Sequence, residues 1–157
     1  MTQSKQTDVR VAVKEDIPAI IDIAKSAIIP AWTATYLQDR LERDDTLLLV
    51  ATQSDKDCAG FHVGFAAFRQ IDDIGELLQI VVASEKRHRG IGTLLLDEVF
   101  SHAAAKNLTS IFLEVRAGNT RAIALYKKQG FIHMRVRKDY YDSPVEDAIV
   151  MMRSICR

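Results

Sequence analysis

The sequence has few of the residues that mark disulfide-rich, metal-binding or membrane-spanning proteins. Its 2 cysteines, Cys58 and Cys156, show neither a metal-ligand spacing nor a disulfide framework, and its 4 histidines are scattered without forming a ligand pair. No apolar run is long enough to span a bilayer, and residues 1–7 lack the apolar core of a signal peptide. We therefore expect no bound metal, no membrane association and a cytoplasmic protein.

An excess of charge of one sign is also absent. The 21 lysines and arginines balance 21 aspartates and glutamates, so no overall field favours nucleic acid, and we expect no direct nucleic acid binding. The basic character of 86–89 is local, and local charge fits a small anionic ligand better than a polymer. With 157 residues we expect one domain over 1–157, in which 1–7 form a flexible tail. Nothing in the sequence indicates an oligomeric state.

Hydrophobic periodicity predicts alternating strands and helices. The predicted strands cover 9–13, 46–52, 61–69, 75–82, 111–115, 131–137 and 148–152, and the predicted helices cover 16–26, 34–43, 92–106 and 119–128. This order, β-α-α-β-β-β-α-β-α-β-β, predicts an α/β domain with helices flanking a mixed sheet. In the third helix, Leu94, Leu95, Val99 and Phe100 are spaced for one buried face.

The most informative segment is Arg87-His88-Arg89-Gly90-Ile91-Gly92-Thr93, which connects a predicted buried strand to a predicted helix. Glycines at such a junction let the backbone approach a ligand closely. The first N–H groups of the helix have no internal acceptor and favour an anion, and three basic side chains precede them. The segment therefore predicts a phosphate-binding loop.

Two other interpretations of this loop remain open. The glycines can be a tight turn next to a solvated basic run. A dinucleotide-binding G-x-G-x-x-G motif would need a third glycine where this chain has Leu95, although Glu114 lies near the distance expected of a ribose-binding acid. A P-loop is absent, because no Gly-Lys-Ser/Thr follows the glycines.

A second informative segment runs from Leu113 to Phe131. Glu114 lies inside an apolar strand, where a carboxylate is costly unless it is paired or near water. Its plain interpretation is an ion pair with Arg116 or Arg121. In the same way, Tyr126 can be an amphipathic core residue and Asn119 a helix cap.

These residues carry a resemblance to the GNAT acetyltransferase superfamily over most of the chain. The superfamily's acetyl-CoA motif, Gln/Arg-x-x-Gly-x-Gly/Ala, is matched by Arg87 to Gly92. Its Leu-Tyr-x-x-x-Gly-Phe signature is matched by Leu125-Tyr126 through Gly130-Phe131. The resemblance implies a single-domain GNAT-like fold with a largely antiparallel sheet.

Within the superfamily, the chain resembles the bacterial ribosomal-protein alanine N-acetyltransferases. The similarity covers 113–126, the pair Tyr140-Tyr141 and the segment 146–151. The chain departs from that family at Gly118, where serine is usual, at Ala83-Ser84, where Asp-Pro is usual, and at His88, where arginine is frequent. The first 70 residues match poorly, although Trp32 resembles part of a Pro-Trp-Ser segment of the family.

The resemblance implies acetyl-CoA as cosubstrate. Its pyrophosphate would lie on the backbone amides from His88 to Thr93, and its pantetheine arm would pair with the strand backbone, which can also be plain strand core. The implied cofactor-binding residues are Ile80, Val81, Val82, Arg87, His88, Arg89, Gly90, Ile91, Gly92, Thr93 and Asn119.

The resemblance also implies direct transfer to a protein α-amino group, with the N-terminal alanine of a small-subunit ribosomal protein as acceptor. Glu114 is then the general base, with Glu76 as a rival, and Tyr126 is the proton donor. The implied acceptor-binding residues are Tyr140, Tyr141 and Trp32.

Three alternatives for the acceptor or the activity remain open. A small-molecule amine or a lysine side chain would use the same fold with another acceptor. A non-catalytic acetyl-CoA-binding regulatory module would retain the loop but would have no need of both Glu114 and Tyr126. A tRNA-borne amino acid is disfavoured by the neutral net charge.

Overall fold

The computed structural model describes residues 6–27, 32–55 and 58–155. The elements follow the predicted order: β1 (Gln6–Val11), α1 (Ile17–Ala24), α2 (Ala34–Leu41), β2 (Thr46–Asp55), β3 (Cys58–Ile71), β4 (Ile74–Val82), α3 (Ile91–Ala105), β5 (Ser110–Arg116), α4 (Thr120–Lys128), β6 (Ile132–Asp142) and β7 (Val145–Ser154). Short 3-10 turns lie at Lys14–Asp16 and Ser84–Lys86. No helix in these ranges is long and apolar enough to cross a membrane.

The strands form a mixed sheet of order β1-β2-β3-β4-β5-β7-β6. β1 pairs with β2, β5 with β7, and β6 with β7, all antiparallel, whereas β4 and β5 are parallel. The predicted α/β fold with a largely antiparallel sheet is therefore confirmed. The chain forms two compact units, the first within Met1–Phe68 and Gln79–Glu98, the second within Arg69–Leu78 and Val99–Arg157.

The first unit has an apolar core around one buried charge. Fully buried side chains include Ile20, Leu37, Val50, Val63, Phe65 and Phe68. The carboxylate of Asp16, at the start of α1, accepts hydrogen bonds from Arg10 at 2.7 and 2.9 Å and from the Val13 N–H at 2.8 Å. It also lies 2.7 Å from Nε2 of His62. Asp16 thus directly precedes α1, but its side chain binds these three residues and no N–H of the helix.

The second unit packs aromatic and aliphatic side chains beside its strands. Tyr126 and Phe131 have ring centroids 5.6 Å apart, and Phe100 is 6.0 Å from Phe131. The guanidinium of Arg153 lies 3.7 Å from the Phe100 ring centroid. Side chains from β5, β7 and the segment before β5 complete this core, among them Leu108, Ile111, Leu113, Val115 and Met151.

Several predicted strand boundaries differ from those in the structure. β6 and β7 pair out to Asp142 and Val145, so they are longer than the strands predicted at 131–137 and 148–152. β6 is exposed along almost its whole length and shows little hydrophobic signal. The tail predicted at 1–7 includes Gln6 and Thr7, which pair with β2; residues 1–5 lie outside the described ranges.

The buried face of α3 is also shifted from the predicted one. Leu94 is 40% exposed, whereas Leu96 is completely buried together with Leu95 and Val99. The helix begins at Ile91, which is itself buried, so the buried positions continue at steps of four from that residue. Leu94 lies on the opposite side of the helix.

Candidate active site

The predicted phosphate-binding loop has the backbone of an anion site. His88 and Gly90 both have positive φ, at 61° and 77°, a region in which residues other than glycine are uncommon. The first backbone bond of α3 runs from Leu94 N–H to the Gly90 carbonyl, 3.0 Å away. The N–H groups of residues 91–93 are therefore left without helical acceptors, and they lie at the positive end of the helix dipole.

Gly64 is a residue that the sequence analysis missed. A Cβ atom there would lie 2.9 Å from the Val81 carbonyl oxygen and 3.3 Å from Cδ1 of Leu95. Only glycine lets β3 pass so close to β4 and to the first turn of α3. An isolated glycine inside a strand is a weak signal of such an approach. Arg87 supports the same region by donating from Nε to the Val82 carbonyl at 3.3 Å.

The strand before the loop, β4, packs its side chains while the last part of its backbone has no partner in β5. Val81 is buried, while Ile80 and Val82 are half-buried. The parallel register with β5 ends at Leu77, so the register leaves residues 80–82 without a β5 partner. Packing by these side chains and binding of a ligand by their backbone are therefore compatible.

In the second unit, Glu114 is bound by residues of β6. Nε of Arg137 lies 3.2 Å from Glu114 Oε1, and the phenol of Tyr140 interacts with the same carboxylate. That interaction with Glu114 is the main reason that the pKa of Tyr140 is raised. The predicted partners Arg116 and Arg121 are therefore wrong. Glu114 remains partly accessible, since 24% of its side chain is exposed.

The predicted acceptor residues Tyr140 and Tyr141 lie together next to Glu114. Their rings meet edge to face at 5.1 Å, and the guanidinium of Arg116 lies 4.1 Å from the Tyr141 ring centroid. Burial and then the charge of Glu114 raise the pKa of Tyr141. Both tyrosines belong to β6, beyond the end of the strand predicted at 131–137.

Glu146 fastens the β6–β7 turn to the loop that follows β5. Its carboxylate accepts a hydrogen bond from the Gly118 N–H at 2.7 Å and another from Arg116 at 3.4 Å. Arg116 also donates to the Pro144 carbonyl at 3.2 Å. A Cβ atom at Gly118 would lie 3.0 Å from Glu146 Oε2. Glycine at this position therefore gives the carboxylate room to hold the loop.

Tyr126, the predicted proton donor, is a buried residue of α4. Burial, and to a smaller extent the nearby Tyr141, raise the pKa of its phenol well above the usual range. The hydroxyl therefore keeps its proton at every pH at which enzymes work. The electrostatic influence of Tyr141 places these two phenols in the same cluster as Glu114.

The other predicted residues have clear local roles. Asn119 caps α4, since its side chain accepts from the Ala122 N–H at 3.2 Å. The rival base Glu76 lies on the same face of the sheet as Glu114, but its carboxylate forms an ion pair with Arg69. Trp32, in the first unit, packs 5.4 Å from Tyr36 and 5.7 Å from Phe65.

Comparisons with known proteins identify the family. The sequence profile of the acetyltransferase (GNAT) family matches residues 17–131. A ribosomal protein bS18-alanine N-acetyltransferase of Salmonella typhimurium is 33% identical over 87% of this chain and 89% of the relative. An N-alpha-acetyltransferase of Sulfurisphaera tokodaii is 31% identical over 95% and 93%, respectively.

Solved structures similar to this chain include acetyltransferases of the same kind. The crystal structure of the ribosomal-protein-S18-alanine N-acetyltransferase from Escherichia coli matches with a TM-score of 0.83 and 27% identity, over 97% of this chain and 96% of that one. The structure of Ard1 from Thermoplasma volcanium matches with a TM-score of 0.84 at 27% identity, over 96% and 99%. The chain thus belongs to the acetyltransferase (GNAT) family and is an acyltransferase.

Proposed function

We propose that the protein transfers the acetyl group of acetyl-CoA to a protein α-amino group, with the N-terminal alanine of a small-subunit ribosomal protein as the preferred acceptor. The observation that carries the proposal is the partly exposed carboxylate of Glu114 beside the paired rings of Tyr140 and Tyr141. This arrangement offers a base and an aromatic surface to an incoming peptide. The names of the relatives from Salmonella typhimurium and Sulfurisphaera tokodaii support a protein N-terminus as acceptor.

The loop from Arg87 to Thr93 and the strand before it would bind the donor. The N–H groups of residues 91–93 suit a pyrophosphate, and the basic side chains around them add attraction for an anion. The backbone of residues 80–82 would pair with the amides of the pantetheine arm. The side-chain oxygen of Asn119 is used in capping α4, so its NH₂ group is the part that would donate to the arm.

Glu114 would remove the proton that prevents the acceptor from reacting. An α-amino group has a pKa of about 7.7–8.0, so it is largely protonated at neutral pH and lacks a free electron pair. Glu114 takes that proton, directly or through a water molecule. The amine nitrogen then attacks the thioester carbonyl, and a backbone N–H in residues 80–82 stabilises the resulting oxyanion.

Tyr126 would complete the reaction. As the tetrahedral intermediate collapses, the C–S bond breaks and coenzyme A leaves as a thiolate. The phenol of Tyr126, which burial keeps protonated, gives its proton to this thiolate. The nitrogen of the new amide releases its second proton, which restores the phenol directly or through solvent. The acetyl group therefore passes directly from sulfur to nitrogen, without an acyl-enzyme.

A peptide panel tests this function. The purified protein is mixed with acetyl-CoA and with short peptides that begin with alanine or serine, with N-terminally blocked lysine peptides, and with small amines, and free thiol release is followed. We expect the fastest release with N-terminal alanine peptides. Equal rates with blocked lysine peptides or small amines would overturn the acceptor, and no release with any amine would indicate a module that only binds acetyl-CoA.

A further inference from the structure

We propose that Arg137 is a positioning residue that joins Glu114 and Tyr140 into one unit, so that contact of the acceptor with Tyr140 and removal of the amine proton depend on each other. The inference rests on the proposed function, because it assigns Glu114 and Tyr140 to the same reaction. It adds a residue that no motif in the sequence indicates.

Each of these three residues lies against the other two. Arg137 Nε lies 3.2 Å from Glu114 Oε1, and its guanidinium carbon lies 5.4 Å from the centroid of the Tyr140 ring. The phenol of Tyr140 interacts with the Glu114 carboxylate, which raises the pKa of Tyr140, and this interaction closes the triangle. A carboxylate has about four acceptor positions, so these two neighbours can fix its orientation and still leave room for an amine or a water molecule.

The strand register alone would place Arg135, and not Arg137, in line with Glu114. Arg135 and Glu114 are both opposite Val150 of β7, whereas Arg137 and Arg116 are both opposite Ala148. Glu114 nevertheless contacts Arg137, which lies two residues further along β6 than Arg135. The long, planar guanidinium can do this while it also lies over an aromatic ring, a combination that lysine does not match.

An irregularity in β6 brings Tyr140 back to Glu114. The register shifts between Arg137 and Tyr141, and Asp139 inside the shift has a φ of 49°. Asp147 holds this bulge: its carboxylate accepts from the Asp139 N–H at 3.0 Å and from Lys138 at 2.9 Å. Bulges commonly redirect a side chain next to an active site, and this one redirects Tyr140.

Steady-state kinetics of Arg137→Ala, Arg137→Lys and Arg135→Ala test the role of Arg137. Arg135 is a matched control, because it is an exposed arginine on the same strand that forms no ion pair with a described residue. We expect Arg137→Ala to lower kcat about tenfold and to raise the KM for an N-terminal alanine peptide, with the KM for acetyl-CoA unchanged. Arg137→Lys restores part of kcat, and Arg135→Ala stays within about twofold of the parent.

A double-mutant cycle makes the test specific. If Arg137 and Tyr140 act as one unit, Tyr140→Phe has a much smaller effect in the Arg137→Ala background than alone. Effects of Arg137→Ala and Tyr140→Phe that simply multiply, or an Arg137→Ala variant with parental kcat and peptide KM, would overturn the inference. Circular dichroism confirms that each variant is folded.

Glu114→Gln separates failure of this inference from failure of the proposed function. An inactive Glu114→Gln variant beside a fully active Arg137→Ala variant contradicts only the role of Arg137. A fully active Glu114→Gln variant contradicts the base assignment and with it the coupling that Arg137 is proposed to provide.

Discussion

Glu114 is a charged residue between two buried neighbours, Leu113 and Val115, and it is tolerated there because Arg137 and Tyr140 bind its carboxylate. Such a carboxylate is held in place yet stays reachable from one side. This combination suits a group that must take a proton from a bound amine.

Replacing Glu114 by glutamine keeps the size of the side chain but removes the base. We expect Glu114→Gln to lower kcat by about 10²–10⁴-fold, the usual contribution of a general base. Binding of acetyl-CoA, measured by calorimetry, remains close to that of the parent protein. Parental kcat in this variant would contradict the assignment.

Replacing Tyr126 by phenylalanine removes one hydroxyl and keeps the buried ring against Phe131. Because the ring keeps its packing against Phe131, we expect little change in the thermal midpoint of Tyr126→Phe. We expect kcat to fall at least tenfold, because the leaving thiolate loses its proton donor. A variant with unchanged thiol release would show that the proton comes from elsewhere.

At the scale of elements, the candidate residues of each unit lie where strands or helices begin or end. α4 begins at the cap formed by Asn119, and the loop before it is held by the bond from Gly118 N–H to Glu146. α3 begins directly after Gly90, whose positive φ turns the chain into the helix. Substitutions at such positions can therefore be chosen to change either the free energy of unfolding or the binding of acetyl-CoA.

Asn119 offers such a separation because its oxygen and its NH₂ group have different roles. Asn119→Ala removes the cap, so we expect a loss of about 1 kcal/mol in the free energy of unfolding. Asn119→Asp keeps an oxygen for the Ala122 N–H but has no NH₂ group, so stability stays near that of the parent while the KM for acetyl-CoA rises. An unchanged KM in Asn119→Asp would remove Asn119 from the donor site, leaving only its capping role.

Features with a local signal can be predicted from this sequence, whereas contacts that depend on strand register cannot. The loop at 87–93 and the order of the elements follow from glycine positions and hydrophobic periodicity. The pairing of Glu114 with Arg137 depends on how β5, β7 and β6 align, and on a bulge next to Asp139. Glu114 and Arg137 are far apart in the sequence, so their contact cannot be predicted from neighbouring residues. Arg116, two residues from Glu114, was therefore a reasonable but incorrect partner.

At the scale of the whole molecule, stability depends on pH through a buried carboxylate. Hydrogen bonding to Arg10 is the largest cause of a pKa of Asp16 well below its usual range. A lowered folded-state pKa stabilises the protein above the unfolded value, which is about 3.9, and this contribution is lost as the pH falls further toward the folded value. The native state should therefore lose stability below about pH 4.

Asp16→Asn tests this dependence. We expect the variant to be less stable than the parent by about 2 kcal/mol at pH 7, because charged hydrogen bonds to Arg10 and the Val13 N–H are weakened. The difference should shrink in urea unfolding experiments at pH 3. A difference that is equal at both values would show that Asp16 does not cause the acid sensitivity.

The central claim, transfer to an α-amino group, is tested most directly inside a single peptide. A peptide with a free N-terminal alanine and an internal lysine is incubated with the protein and acetyl-CoA, and fragment masses locate the acetyl group. Because both amines are present at the same concentration, no difference in peptide binding can bias the result. The account predicts acetylation at the α-amino group, whereas acetylation at the lysine side chain would contradict it.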